Sequence, residues 1–303
     1  MTHATQIDRP ALGIALMTGF CVLAPLGDSI AKYLGQSQPM LQLLVVRFLV
    51  QAVLLAPLVA ISGIALPRSP RLLCLIGVRT LLHIAGIGAM FTGLRFLPLA
   101  DAIAIAFVMP FIMLALGWLF LNEQVGVHRL TACAVGFAGT LLVIRPNFAE
   151  VGPAALWPLA VAVTFALFML VTRIIAKQTD PIGLQMLSGA MASALLVPVL
   201  ALSGLGVLPG PAPVLPDLSG WVLMLLLGVL GTIAHLLMTW SLRFAPSATL
   251  APMQYLEIPI ATLYGWWIFR DLPDGMAFAG IAVTIAAGLY IILRERRLHQ
   301  STR

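Results

Sequence analysis

Eight ionisable side chains sit where the sequence offers them almost no water. Asp28, Lys32, Arg47, Arg79, His83, Asp101, His235 and Glu257 each interrupt or border a long apolar run. A charge in an apolar medium is costly unless a partner or a ligand offsets the lost hydration, so each is a candidate for chemistry. Asp28 and Lys32 are four residues apart and share one helix face. They read as an interfacial ion pair with Lys32 reaching toward the headgroups, or as a gate or solute contact near one mouth. Arg47 and Arg79 carry guanidinium forks suited to carboxylates and phosphates. Either binds an anionic part of a solute or neutralises Asp28 or Glu257; Arg79 also has the option of snorkelling to the nearer surface. His83 shares a face with Arg79. His235, in "GTIAHLLMTW" (231–240), reads as a hydrogen-bonded core histidine or as a proton carrier. Asp101 reads as an acid at a helix N-terminus. Glu257, in "LAPMQYLEIPIATLYGWW" (250–267), is the deepest acid. It faces a central cavity and binds a cationic group or a coupling proton, or else it sits in a structural ion pair. Tyr255, with Phe107, Trp157, Phe168, Trp240 and Tyr264, either stacks on the solute or packs the interior.

These residues must be positioned by membrane helices. The chain is 61% hydrophobic and 9% charged, against about 25% charged residues in an average soluble protein. Apolar runs of roughly 20 residues, the length a bilayer crossing needs, fall at 11–34, 40–62, 72–94, 99–121, 128–145, 154–176, 182–203, 219–243, 247–269 and 275–293. Helix nine is expected to bend near Pro259. With the N-terminus in the cytoplasm, eleven Lys and Arg fall on the cytoplasmic side and four on the other, so both termini are placed inside. The formal charge of +6 forms no clustered basic face, which excludes a nucleic-acid binder. Cys21, Cys74 and Cys133 lie in apolar runs and read as small buried hydrophobes.

The chain also repeats itself. "LRFLPLADA" (94–102) is echoed by "LRFAPSATL" (242–250), an offset of 148 from Leu94 to Leu242. "LALGWLFLNE" (114–123) is echoed by "TLYGWWIFRD" (262–271), and "IAKYLGQSQP" (30–39) more weakly by "IAKQTDP" (175–181). Each unit holds five spans. An odd number forces the second unit to enter the membrane from the opposite side, which gives an inverted repeat. The expected fold is therefore an all-α membrane protein of ten transmembrane helices in two inverted five-helix repeats, 1–148 and 149–303. Glu123 and Asp271, which end spans four and nine, read as structural connectors.

"FVMPFIMLALGWLFLNE" (107–123) and "YLEIPIATLYGWWIFRD" (255–271) each combine a mid-helix Pro, a late Gly and a terminal acid. Gly-rich fifth helices follow at 134–144 and 280–292, and the first span carries "APLGDSIAKYLG" (24–35). The whole chain thereby resembles the drug/metabolite transporter superfamily, in particular the EamA type. The family often places Glu directly before the Pro; here Ile258 intervenes in the second copy and Met109 stands in the first. The resemblance implies a secondary transporter of a small organic metabolite in a bacterial inner membrane, working by alternating access. An amino-acid-like or zwitterionic solute fits the mixture of buried cations and acid, with efflux as the direction. Import of a cofactor-like molecule such as riboflavin, or export of a metal-chelating metabolite, also fits. The partners are the solute and the bilayer, with a homodimer allowed, and no cofactor or metal is called for. A polytopic membrane enzyme and a non-transporting membrane scaffold or receptor are the remaining classes, and no HExxH or GxSxG motif supports the enzyme.

Overall fold

Proline and aspartate set many of the helix starts in the computed structural model, which describes residues 9–93, 96, 105–144, 152–270 and 275–301. Helix α1 (Pro10–Leu34) and α3 (Pro70–Gly93) open on Pro, where the missing N–H would have had no partner. Helix α2 (Met40–Ile61) follows Pro39. Helices α4 (Met109–Leu121), α5 (Val127–Ile144) and α6 (Leu156–Ala176) come next, the last entered through a 3₁₀ turn at Gly152–Ala155. Helix α7 (Pro181–Gly204) is capped by Asp180, whose carboxylate accepts from the N–H groups of Ile182 (2.8 Å) and Gly183 (3.3 Å). Asp217 caps α8 (Leu218–Phe244) by accepting from Gly220 N (2.8 Å) and from the Ser219 hydroxyl (2.7 Å). The chain closes with one turn, α9 (Ser247–Leu250), a 3₁₀ segment at Ala251–Leu256, then α10 (Glu257–Phe269) and α11 (Gly275–Ser301).

Seven of these helices are long and apolar enough to cross a membrane, and Met109–Leu121 and Val127–Val143 are shorter apolar helices. All regular structure among the described residues is helical. The chain is a multi-pass membrane protein. Leu54, Leu58, Ile61, Leu81, Leu225 and Leu226 stand exposed on the outside of the bundle, as lipid contact requires. Inside, α1 packs on α8 and α3 on α6, while α2 packs on α7 and α5 on α11; α4 leans on α6, and α10 on α1. One of these contacts needs bare backbone on both sides. A Cβ on Gly139 would lie 2.9 Å from the Gly280 carbonyl oxygen, and one on Gly280 would lie 2.6 Å from that of Gly139. The α5–α11 crossing is therefore a glycine-on-glycine contact.

Two expectations change. The bend in helix nine lies upstream of Pro259, in the 3₁₀ segment that begins with Ala251 and Pro252. Pro259 is the third residue of α10, where the first turn demands no N–H donor, so it removes no intrahelical hydrogen bond. Cys74 is exposed, whereas Cys21 and Cys133 are buried. Arg173, inside the expected span 154–176, lies in the last turn of α6 and is only 8% exposed. Span four is described from residue 105 onward, and its first residues, with Asp101, lie outside the described residues, as do Arg95, Arg145 and Asp271.

Candidate functional site

Helices α1, α2, α8 and α10 bring three of the predicted charges together. Asp28 is exposed on α1, and Arg47 and Glu257 are half-buried on α2 and α10. Asp28 lies within electrostatic reach of both Arg47 and Glu257. Gly231 makes the room for Arg47: a Cβ there would lie 2.8 Å from Arg47 Nε. The Arg47 Nη2 lies 3.2 Å from His235 Nδ1, and the same Nδ1 lies 2.9 Å from the Gly231 carbonyl oxygen. Arg47 Nη2 also lies 3.5 Å from His235 Nε2, so one tautomer serves both partners: Nδ1–H donates to Gly231 O while Nε2 accepts from Arg47. Asp28, with a guanidinium and a second carboxylate each within its electrostatic reach, offers both signs of charge to a bound group, and the carboxylates can hold a proton.

Deeper in, α3, α6 and α7 build a polar column. Arg79 is fully buried, so it does not snorkel. Its Nε donates to Thr172 Oγ1 (2.7 Å), its Nη1 to Ser188 Oγ (2.8 Å), and its guanidinium lies 4.5 Å from the Phe168 ring centre. His83 sits one turn further along α3, 4.6 Å from the rings of both Phe168 and His235. Gln185 of α7 donates to the His235 carbonyl (2.8 Å) and to Thr239 (2.9 Å), and Gln51 of α2 donates to the Gln185 carbonyl (2.6 Å). These amides fix α2, α7 and α8 around the histidine.

One end of the bundle is tied shut. The Glu123 carboxylate, just past α4, accepts from Ser247 N (3.1 Å), Ser247 Oγ (2.6 Å) and Ala248 N (2.8 Å), capping the start of α9. Arg173 Nε lies 3.5 Å from the same carboxylate, and Arg173 Nη1 donates to the Leu242 carbonyl (2.6 Å). Four elements, α4, α6, α8 and α9, thus meet on one ion pair.

Comparison with known proteins settles the class. The EamA-like transporter family matches residues 11–145 and again 152–294. The chain belongs to the EamA-like transporter family. An S-adenosylmethionine uptake transporter of Rickettsia bellii (strain RML369-C) is 26% identical over 95% of each chain. A riboflavin transporter of Rhizobium johnstonii is 31% identical, covering 72% of this chain and 70% of its own length. A solved crystal structure superposes over 94% of this chain and 98% of its own at a TM-score of 0.75 and 19% identity, which shows the fold alone. The chain is a transporter rather than an enzyme.

For this EamA-like chain, the structure groups the predicted residues unequally. Asp28, Arg47, His235 and Glu257 converge, and Arg79 joins them through Phe168 and His83. Lys32 is exposed at the end of α1. Tyr255 is fully buried, donates its hydroxyl to the Phe107 carbonyl (3.1 Å) and presses on Gly136, where a Cβ would lie 2.6 Å from its ring; it packs the interior in this conformation. Sequence reasoning passed over Gln51, Gln185, Thr172, Ser188 and Thr239. The available signal was a set of uncharged hydrogen-bonding side chains recurring inside apolar runs, which is weaker than a charge because Ser and Thr also bond to their own helix. Ser241 adds one more such bond, to the Gly13 carbonyl at 2.7 Å.

Proposed function

We propose that the chain is a secondary transporter of a small amphoteric metabolite, one that carries a carboxylate and a cationic centre, and that it works by alternating access in a bacterial inner membrane with both termini in the cytoplasm. The observation that carries this reading is the meeting of Asp28, Arg47 and Glu257 between α1, α2, α8 and α10. The carboxylates suit the cationic centre or a coupling proton, and Arg47 suits the carboxylate. The name of the full-length Rickettsia relative fits the class, since S-adenosylmethionine is a sulfonium amino acid.

The mechanism rests on two inverted five-helix units, 1–148 and 149–303. Three observations support it. The family matches the chain twice in tandem. Asn122 and Arg270, at corresponding positions of the sequence repeat, end α4 and α10 in the same left-handed conformation (φ 52° and 62°). Exchanging the two sets of helices maps the α1–α8 contact onto α6–α3 and the α4–α6 contact onto α10–α1. Rocking one unit against the other would open the central site to alternate sides. Efflux is the direction expected from sequence. Uptake is the second reading, favoured by the names of the Rickettsia relatives.

Counterflow in proteoliposomes tests the proposal. Vesicles loaded with S-adenosylmethionine or methionine should accumulate the matching labelled solute beyond vesicles loaded with riboflavin, which has neither a carboxylate nor a cationic centre, and Arg47→Gln should weaken uptake of the carboxylated ones. An absence of counterflow with a broad metabolite panel would overturn the transport mechanism.

A further inference from the structure

We propose that Arg79 and His83 form a second, inner subsite for an oxyanion, namely the carboxylate of the transported solute; this rests on the transporter reading above. Arg79 has no carboxylate within salt-bridge distance among the described residues, and its side-chain hydrogen bonds go to the neutral hydroxyls of Thr172 and Ser188. Thr172 gives its own proton to the Phe168 carbonyl (2.7 Å), so toward Arg79 it acts as an acceptor. That leaves Arg79 Nη2, with both of its N–H groups, without a partner. His83 Nε2 is also unpartnered, and the two residues are 0% and 3% exposed.

They stand four apart on α3, hence on one face. Both are held rigidly. Arg79 is fixed by its two hydroxyls and by the Phe168 face, and His83 by its ring contacts with Phe168, His235 and, edge-on at 5.2 Å, Phe48. A buried donor left unmade is a standing cost, and the cost is larger for a charged one. Here a buried guanidinium edge and a buried imidazole nitrogen stand on one face of α3 with no acid to satisfy them among the described residues. A carboxylate accepts from Nη2 and, in the tautomer that carries the proton on Nε2, from His83 at the same time.

Position adds a second argument. Thr172 adjoins Arg173, so the subsite lies directly behind the Glu123–Arg173 closure, whereas Arg47 and Asp28 lie toward the opposite end. His235 stands between the two arginines: Arg47 is on one side of it and the His83–Phe168–Arg79 stack is on the other. A carboxylate passing from Arg47 to Arg79 would be met by a cation at each stop. Both inner atoms are sealed in the conformation described, so the subsite fills in a state where α3 and α6 part at that end.

The test uses the intact protein in detergent, with sodium formate as the small carboxylate and sodium chloride at equal ionic strength as the control. Formate should raise the melting temperature of the wild type well beyond chloride. Arg79→Gln should abolish that difference, and His83→Gln should raise the half-saturating formate concentration about tenfold. An equal formate effect in wild type and Arg79→Gln overturns the subsite, as does equal protection of the wild type by chloride. If Arg79→Gln does not fold, an unchanged half-saturation in His83→Gln overturns it alone. Counterflow with S-adenosylmethionine and its decarboxylated form separates the two proposals. Transport of both with the same preference in wild type and Arg79→Gln removes only the inner subsite, and formate binding without any counterflow removes the transporter mechanism.

Discussion

Replacing Glu123 with Gln should open one end of the bundle. The side chains of Glu123 and Arg173 are 9% and 8% exposed, so their pairing is poorly hydrated. The carboxylate serves two backbone N–H groups, one hydroxyl and one guanidinium. Charge-assisted hydrogen bonds contribute about 1.5–3 kcal/mol each. Gln keeps one acceptor oxygen and loses the charge, so a net loss of about 2 kcal/mol is expected, less than the 3–5 kcal/mol typical when a buried ion pair loses a partner outright. If the closure is made in one conformation and broken in the other, that loss raises the ratio of open to closed molecules about 30-fold. Thr249 reports on it. It lies in α9, is fully buried, and its Oγ1 has no hydrogen-bond partner, so Thr249→Cys is a mild substitution. In a Cys74→Ser background, which removes the exposed thiol, maleimide labelling of Thr249→Cys should accelerate about 30-fold when Glu123→Gln is added. The same background without Thr249→Cys corrects for labelling at Cys21 and Cys133. An unchanged labelling rate, in a variant that still folds, would refute the idea that this ion pair is broken during the cycle.

Three further outcomes are expected. Gly139→Ala should destabilise the protein by about 1–3 kcal/mol, because its Cβ would meet Gly280 O at 2.9 Å and Thr284 Cγ2 at 2.8 Å; Gly77→Ala, with open space around it, should be neutral or stabilising, and thermal melts in detergent compare the two. The Ser219 hydroxyl first, then the Gly220 N–H, hold the Asp217 carboxyl below its ordinary range. A group depressed in the folded state stabilises above its unfolded pKa and stops doing so as pH falls through the folded value. The small melting-temperature gap between wild type and Asp217→Ala should therefore persist at neutral pH and close below about pH 4, and a gap that widens in acid would contradict the cap. Glu257→Gln should flatten the pH profile of transport in proteoliposomes while leaving the protein folded, and an unchanged profile and affinity would remove Glu257 from proton or cation binding.

Helix positions were legible in the sequence because a bilayer demands long apolar runs and the turns between them are marked by Pro, Asp and Gly. The nine-to-ten connection was not, because "SATLAPMQYLEIP" (247–259) contains two prolines and hydropathy cannot say which one falls at a break. Pro252 lies at the start of the 3₁₀ segment and Pro259 inside the first turn of α10, so position relative to a helix start decides the effect of each. Among the site residues, the charges were found because each is conspicuous in an apolar run. Their grouping was not, since Arg47 and His235 are 188 residues apart and meet only because α2 packs on α8. The role of Arg173 was hidden for the same reason: at the end of an apolar run it looks like any interfacial arginine, and only the fold brings Glu123 to it.

The weak echo between the first and sixth helices carries more than it first suggests. Asp28 stands two residues before Ile30 in "IAKYLG", and Arg173 two residues before Ile175 in "IAKQTD", so the two are counterparts. Arg173 closes its end of the bundle by pairing with Glu123. At the other end the same position holds an acid, and the sequence counterpart of Glu123 is Asp271, also an acid. An inverted repeat of identical halves would close equally well at both ends. Under the inverted-repeat reading proposed above, the sequence counterparts of the attractive pair are two acids, so like charge would oppose a mirror-image closure. The exposure of Asp28 alongside the burial of Arg173 agrees with that asymmetry. A cationic solute or a proton arriving at Asp28 would relieve the repulsion, which ties closure of that end to occupancy of the site. Asp28→Asn should then favour closure of that end without any solute, and a cysteine at Lys32, which is exposed now, should label more slowly in that background. Faster labelling would mean that Asp28 holds the end closed.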